Sequence, residues 1–288
     1  MSTPESGEFD LQLSDGCTLR GRLVKPNLEQ PAKNLCLCVH GLAVDSNVWD
    51  FFAQRWLERG GSLLSFDLRG HGLSDRGKWY KFRPQVMAKD LKEACEKLSL
   101  KPDYLIAQSF GNQIALEILR SSTNHWGIKH YFAVTPVWTA VRPSLRQFIR
   151  TLREAFRFLR TVGKSMGFAS AQKKQRRDHT VFADHPDSYI PRFGQEASSI
   201  GWTRYAGLML FIQWSRWQVP YWTKLRELPV HIIGATDEGL WDNSQLNGIS
   251  RITQWPLYWL EMKHISLSTD PDCAPQLMAL IENEGLIG

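Results

Sequence analysis

The run Tyr104-Leu105-Ile106-Ala107-Gln108-Ser109-Phe110-Gly111 is apolar and β-forming up to a serine, and a helix-period pattern (Ile114, Ala115, Ile118, Leu119) starts at once behind it. A serine at a strand–corner–helix junction sits on a strained turn with its hydroxyl presented outward, the setting of a nucleophile elbow. Strand and helix backbones pass close there, so small residues are needed two before and two after the serine. Gly111 meets that demand, and Ala107 stands where glycine is usual. A serine hydroxyl is a weak nucleophile and needs a base within hydrogen-bond reach. An imidazole suits that work near neutral pH. A carboxylate must hold the imidazole in the right tautomer, and two preorganised N–H donors must receive the oxyanion that attack on a carbonyl creates.

The elements that must position these groups follow from the apolar pattern. Phe9–Leu13 and Cys17–Val24 alternate apolar with polar around Ser14-Asp15-Gly16 and predict an opening hairpin. Leu35–Val39 is a buried strand ending at His40-Gly41, and Ser62–Phe66 is another ending at Asp67. Between them Val48, Trp49, Phe52, Trp56 and Leu57 mark a helix that Gly60-Gly61 stops. Val86, Leu91, Ala94, Cys95 and Leu98 form a further amphipathic helix. After the Ser109 strand and its helix comes a strand over His130–Thr135. Leu228–Gly234 runs as a strand into Ala235-Thr236-Asp237, Leu257–Met262 runs into Lys263-His264, and Pro271–Ile281 makes a closing helix. Strands alternating with helices mean an α/β fold with a mostly parallel, twisted sheet covered by helices. Sites on such sheets lie at the carboxyl ends of the strands, where His40, Asp67, Ser109 and Thr135 all stand.

These motifs together resemble the α/β-hydrolase superfamily, in its serine-nucleophile, esterase- and lipase-like branch with an inserted helical cap. His40-Gly41 matches the family's H-G turn. Asp67-Leu-Arg69-Gly70-His-Gly72-Leu-Ser74 matches its D-x-R-G-x-G-x-S turn. Ser109 stands at the elbow, Asp237 in a G-x-x-D setting after the next-to-last strand, and His264 after the last. The order Ser, Asp, His is the family's order. The resemblance implies that Ser109 is the nucleophile, that His264 is the base, and that Asp237 orients it, with Glu238 and Asp242 as rival carboxylates. Family geometry points to the backbone N–H groups of Leu42 and Phe110 for the oxyanion hole. Asn112 follows Gly111 where a second glycine is common, and Lys263 precedes His264 where glycine is frequent. The 67–74 turn is expected to be architectural, ordering the loop beside the site.

From Trp138 to about Lys224 the strand–helix rhythm is lost, and residues 138–224 are read as the helical cap inserted between core segments 1–137 and 225–288. Eleven of the 35 Lys/Arg but only one of the 29 Asp/Glu, Glu154, fall between Arg142 and Arg177, so the net charge of +6 belongs to this insertion. Arg142, Arg146, Arg150, Arg153, Arg157, Arg160 and Lys164 recur at steps of four and three, one narrow stripe of a helix. That stripe is either a solvated face or a docking surface for an acidic partner. An acyl carrier protein, a phosphate-bearing acyl carrier such as coenzyme A, or an anionic membrane surface would fit it. No nucleic-acid-binding motif accompanies the charge. Trp214 and the aromatics around it, from Trp202 to Trp222, supply helix core and the lining of an apolar acyl pocket.

The remaining numbers narrow the class. With 288 residues, 43% hydrophobic and 22% charged, the composition is that of a globular chain of one large domain or a domain with an insertion. No apolar run reaches the roughly 20 residues a membrane span needs, and the polar, acidic start Met1–Glu8 predicts no signal peptide. Five cysteines without C-x-x-C spacing predict a reduced, cytoplasmic setting, with Cys36 and Cys38 on one face of a buried strand. Asp178, His179, Asp184, His185 and Asp187 fit no standard metal spacing, so neither metal nor other cofactor is expected. The expectation is a hydrolase of esters or thioesters with an apolar acyl group. Amide or C–C hydrolysis, acyl transfer, a membrane-docked lipase and a non-catalytic binding protein are the alternatives. A serine rather than an aspartate at the elbow argues against dehalogenase and epoxide hydrolase chemistry.

Overall fold

The computed structural model describes residues 6–26, 33–42, 44–121, 127–138, 226–238, 244–264, 267, 270 and 272–285. The expected cap residues Arg146, Arg150, Arg153, Arg157 and Trp214 lie outside these. Eight strands form one sheet: β1 (Gly7–Gln12), β2 (Thr18–Val24), β3 (Lys33–Val39), β4 (Gly61–Phe66), β5 (Tyr104–Gln108), β6 (His130–Val134), β7 (Val230–Asp237) and β8 (Leu257–Lys263). Their order across the sheet is β1-β2-β4-β3-β5-β6-β7-β8. The opening hairpin pairs antiparallel, β2 lies antiparallel to β4, and the strands from β4 to β8 are parallel. Helices α1 (Asp50–Glu58), α2 (Pro84–Lys97), α3 (Gly111–Ser121), α4 (Ser244–Thr253) and α5 (Cys273–Asn283) cover it.

The alternation of side chains along each strand sorts the core into two layers. Leu37, Val39, Leu105, Ala107, Tyr131, Ala133 and Ile232 face α2, α3 and α4, whose Met87, Leu91, Ile114, Ile118, Leu246 and Ile249 pack in the same layer. Cys36, Cys38, Ile106, Phe132, Val134 and Ile233 face α1 and α5, through Phe52, Trp56, Leu277 and Ile281. The thiols of Cys36 and Cys38 lie 3.8 Å apart in that second layer, as their alternation in β3 predicts. Helix α4 is not among the expected elements, although Leu246, Ile249 and Ile252 mark one face at helical spacing. Trp138, assigned from sequence to the first residue of the cap, is buried in the first layer against Tyr131 and Trp255.

The turn at 67–74 is an anchor for the strand ends. Asp67 Oδ1 accepts from both the N–H and the hydroxyl of Ser46, and its Oδ2 accepts from Leu73 N–H. Ser74 donates its hydroxyl to the Asp67 carbonyl. These bonds tie the loop after β3 to the loop after β4. Just behind them the guanidinium of Arg69, 1% exposed, makes two 2.7 Å bonds to the Asp90 carboxylate of α2 and a third, 3.0 Å contact with Asp15. Removing one partner of a buried ion pair strands the other charge. Asp90→Ala is therefore expected to cost on the order of 3 kcal/mol in urea unfolding at pH 7; a loss well under 1 kcal/mol would mean that Asp15 alone satisfies Arg69.

Candidate active site

Ser109 sits between β5 and α3 with φ +50, a left-handed conformation for a residue with a Cβ. Such a backbone costs roughly 1–3 kcal/mol and persists only where its surroundings over-determine it. Here they do. The Ser109 N–H donates to the Val134 carbonyl at 3.0 Å, and its own carbonyl accepts from the backbone N–H of Asn112 at 3.1 Å. The side-chain amide of Asn112, fully buried, donates to the Ser109 carbonyl at 3.0 Å and the Val134 carbonyl at 2.9 Å. The Tyr131 hydroxyl donates to Asn112 Oδ1 at 2.6 Å. The residue that departs from the glycine common in the family thus ties the elbow to β6.

The close approach expected at the elbow is real. A Cβ added at Gly111 would lie 2.5 Å from the carbonyl oxygen of Val39 and 2.6 Å from that of His40, so only glycine lets α3 start beneath the end of β3. A Cβ added at Gly41 would lie 3.4 Å from Ser109 Cβ, which puts the turn after β3 alongside the serine. Leu42 follows in that turn and Phe110 follows the serine. Among the described residues neither backbone N–H has an acceptor.

Across the strand ends, His264 Nε2 stands 2.7 Å from Ser109 Oγ. Its Nδ1 stands 2.9 Å from Oε2 of Glu238. A carboxylate can only accept, so Nδ1 carries the proton and Nε2 presents its lone pair to the serine O–H. The imidazole and the Glu238 side chain are 7% and 4% exposed, so the relay is largely withdrawn from water.

The carboxylate that contacts the imidazole is not the one the sequence reading favoured. Asp237 remains the last residue of β7, paired with Lys263 after an irregularity between Ala235 and Asp237, and it is exposed. The strand runs on to Asp237, three residues past its expected end at Gly234, and Glu238 is the residue whose carboxylate meets the imidazole. Asp242, the other rival, lies outside the described residues. Sequence reasoning held Glu238 as a rival but had no signal to choose it, since the pairing irregularity is invisible before strands are placed.

Two other histidines, His40 and His71, are fully buried beside the site and are not part of this relay. His40 Nε2 accepts from the Leu68 N–H at 2.9 Å, so its Nδ1 carries the proton and donates to the Gly41 carbonyl at 2.7 Å. His71 stacks on Phe82 and meets the edge of His40. Burial depresses both imidazoles, His71 to about 3, helped by the neighbouring His40.

A family model described as serine aminopeptidase, S33, matches residues 30–242. The chain belongs to that family of α/β-hydrolases. It is a hydrolase of this type. No curated protein sequence matches it. Among solved structures it is similar to a thioesterase domain from the curacin biosynthetic pathway, 18% identical with TM-score 0.65 over 96% of this chain and 99% of the other. It is also similar to an esterase from Exiguobacterium antarcticum, 15% identical with TM-score 0.68 over 96% and 100%. An enol-lactonase from Burkholderia xenovorans is 12% identical with TM-score 0.67 over 95% and 100%. At these identities the likeness is one of fold.

Together with His130 and His231, whose imidazoles burial also depresses, His40 and His71 make this α/β-hydrolase sensitive to acid. Their folded pKa values lie below the ordinary 6.5, so the unfolded chain binds protons that the folded one refuses. Their contribution is complete above pH 6.5 and is lost as pH falls from there toward His71's value of about 3. Urea unfolding at pH 7, 6 and 5 should show stability dropping by up to about 1.4 kcal/mol per pH unit for each of His40 and His71. A flat profile over that window would mean that the folded protein protonates these rings freely.

Proposed function

We propose that this protein is a serine hydrolase that cleaves a carboxylic ester or thioester with an apolar acyl group through an acyl-enzyme. The observation that carries the reading is the unbroken relay from Ser109 Oγ through His264 to Glu238, with contacts of 2.7 and 2.9 Å. In the proposed reaction Ser109 Oγ attacks the carbonyl carbon while its proton passes to His264 Nε2. Glu238 holds the ring and offsets the imidazolium charge. The Leu42 and Phe110 N–H groups receive the oxyanion. Collapse expels the alcohol or thiol, which takes the proton from Nε2. A water then loses its proton to His264, attacks the acyl-serine, and releases the acid as Ser109 recovers its hydrogen. No cofactor enters the scheme.

The acyl preference rests on the aromatics between Trp202 and Trp222, in the proposed cap at 138–224. The basic stripe through Arg146, Arg150, Arg153 and Arg157 is proposed to dock an acidic acyl carrier or an anionic surface. All five cysteines are unpaired and buried, which fits a reducing, cytoplasmic setting. No helix among the described residues is long and apolar enough to cross a membrane. Amide cleavage by the same groups is the second reading, favoured by the description of the matching family as serine aminopeptidases.

Labelling with a fluorophosphonate probe and turnover of p-nitrophenyl esters of graded chain length, acyl thioesters and aminoacyl p-nitroanilides test both readings. Ser109→Ala and His264→Ala should abolish labelling. Glu238→Gln should lower kcat by on the order of 10³–10⁴, because the ring loses its tautomer and counter-charge, while Asp237→Asn should stay within about twofold of the parent. The opposite ranking of the two acidic variants would return the third role to Asp237. A folded parent that neither labels nor turns over any of these substrates leaves a non-catalytic binding protein.

A further inference from the structure

Gln108 closes β5, one residue before Ser109. Its side chain shares a strand face with Tyr104 and Ile106, both in the apolar layer beneath α1 and α5, and the residue is only 4% exposed. A buried amide on such a face is costly unless it is hydrogen-bonded. Its Nε2 donates to the backbone carbonyl of His264 at 3.1 Å. The hydroxyl of Thr135, the first residue past β6, approaches the same oxygen at 3.5 Å. Thr135 is itself buried, with φ +41, and its N–H is tied to the Ile233 carbonyl.

These bonds matter because of where His264 stands. It follows the last residue of β8, beyond the final ladder pair Asp237–Lys263, at the far edge of the sheet. Two whole strands, β6 and β7, separate it from β5. Its main chain is instead contacted by the side chains of Gln108 in β5 and of Thr135 just past β6, which reach over the intervening strand ends. The grip from β5 comes from the residue covalently joined to the nucleophile, so one peptide unit sets the position of both.

We propose that Gln108 is a positioning residue for the base, its amide holding the His264 main chain, with Thr135, so that Nε2 stays within reach of Ser109 Oγ. It touches no reacting atom. The proposal rests on the serine-hydrolase reading above and adds a device that the triad motif does not contain.

The test uses the full chain and two variants. Q108L keeps the bulk of the side chain and removes the donor. Its kcat for a p-nitrophenyl ester should fall about tenfold or more with KM within about twofold, since a small misplacement of a catalytic group is expensive. The rate of fluorophosphonate labelling should fall by the same factor. Q108E separates positioning from packing. A neutral carboxylic acid can donate to the His264 carbonyl and a carboxylate cannot, so the ratio of Q108E to parent kcat/KM should rise as pH is lowered from about 8 to about 5.5. The Q108L ratio should stay flat. Q108L with kcat within about twofold of the parent overturns the proposal, as does a Q108E ratio that stays reduced by the same factor at each pH. If Q108L does not fold, the Q108E ratio decides alone. An unlabelled, inactive parent sinks the hydrolase reading and this proposal with it, whereas an active parent with an indifferent Q108L sinks this proposal only.

Discussion

A single 2.7 Å hydrogen bond joins Ser109 to His264 across 155 residues of chain, and the strand ends are arranged around it. Neither partner is held by its own element alone. The serine stands on a left-handed backbone that isolated peptides avoid, and the histidine lies just past the end of an edge strand. Each position is costly or loose by itself, so each needs external fixing. The fixing comes from parallel strands whose carboxyl ends lie side by side, so that bonds between neighbours are short.

On the serine side the fixing is a compact set of bonds to β6. Val134 and Ser109 share the Asn112 amide, and Tyr131 completes its hydrogen bonding from within the core. Gly111 permits the contact, because any Cβ there would meet the backbone carbonyls of β3. On the histidine side the side chain is held by Glu238 and the main chain by Gln108 and Thr135. The loop that brings Leu42 alongside is in turn pinned by Asp67, whose carboxylate bonds Ser46 and Leu73. Buried polar groups of this kind are stable only when satisfied, and Asn112, Tyr131, Gln108 and Asp67 find their partners close to the strand ends.

Beneath the site, the two apolar layers explain why the strand ends stay in register. Parallel strands buried on both faces cannot slip by one residue without moving each side chain into the wrong layer. Ala107 and Ile106, adjacent in sequence, belong to opposite layers, as do Ala133 and Phe132. The register that puts Val39 opposite Ala107, and Ala107 opposite Ala133, is therefore the register that lines up His40, Ser109 and Thr135 at one edge. Packing energy and site geometry are enforced by the same alternation.

Much of this was legible from residue types and spacing, because the signals are local. Apolar runs mark buried strands, a serine between strand and helix marks the elbow, and the order of motifs points to His264. Helix α4 does not stand out in the sequence although Leu246 and Ile249 carry its period and Asn243-Ser244 offer a cap, because the segment is short and Gly248 lies inside it. What only the tertiary structure decided is which neighbours meet across the strand ends. Whether Asp237 or Glu238 faces the imidazole depends on a pairing irregularity between β7 and β8 and on where β7 ends. Whether Asn112 weakens the elbow or clamps it depends on Tyr131 and Val134, both remote in sequence. Local patterns are written in one stretch of chain, whereas these choices are contacts between stretches that the sheet brings together, and a one-residue offset changes which side chain points inward.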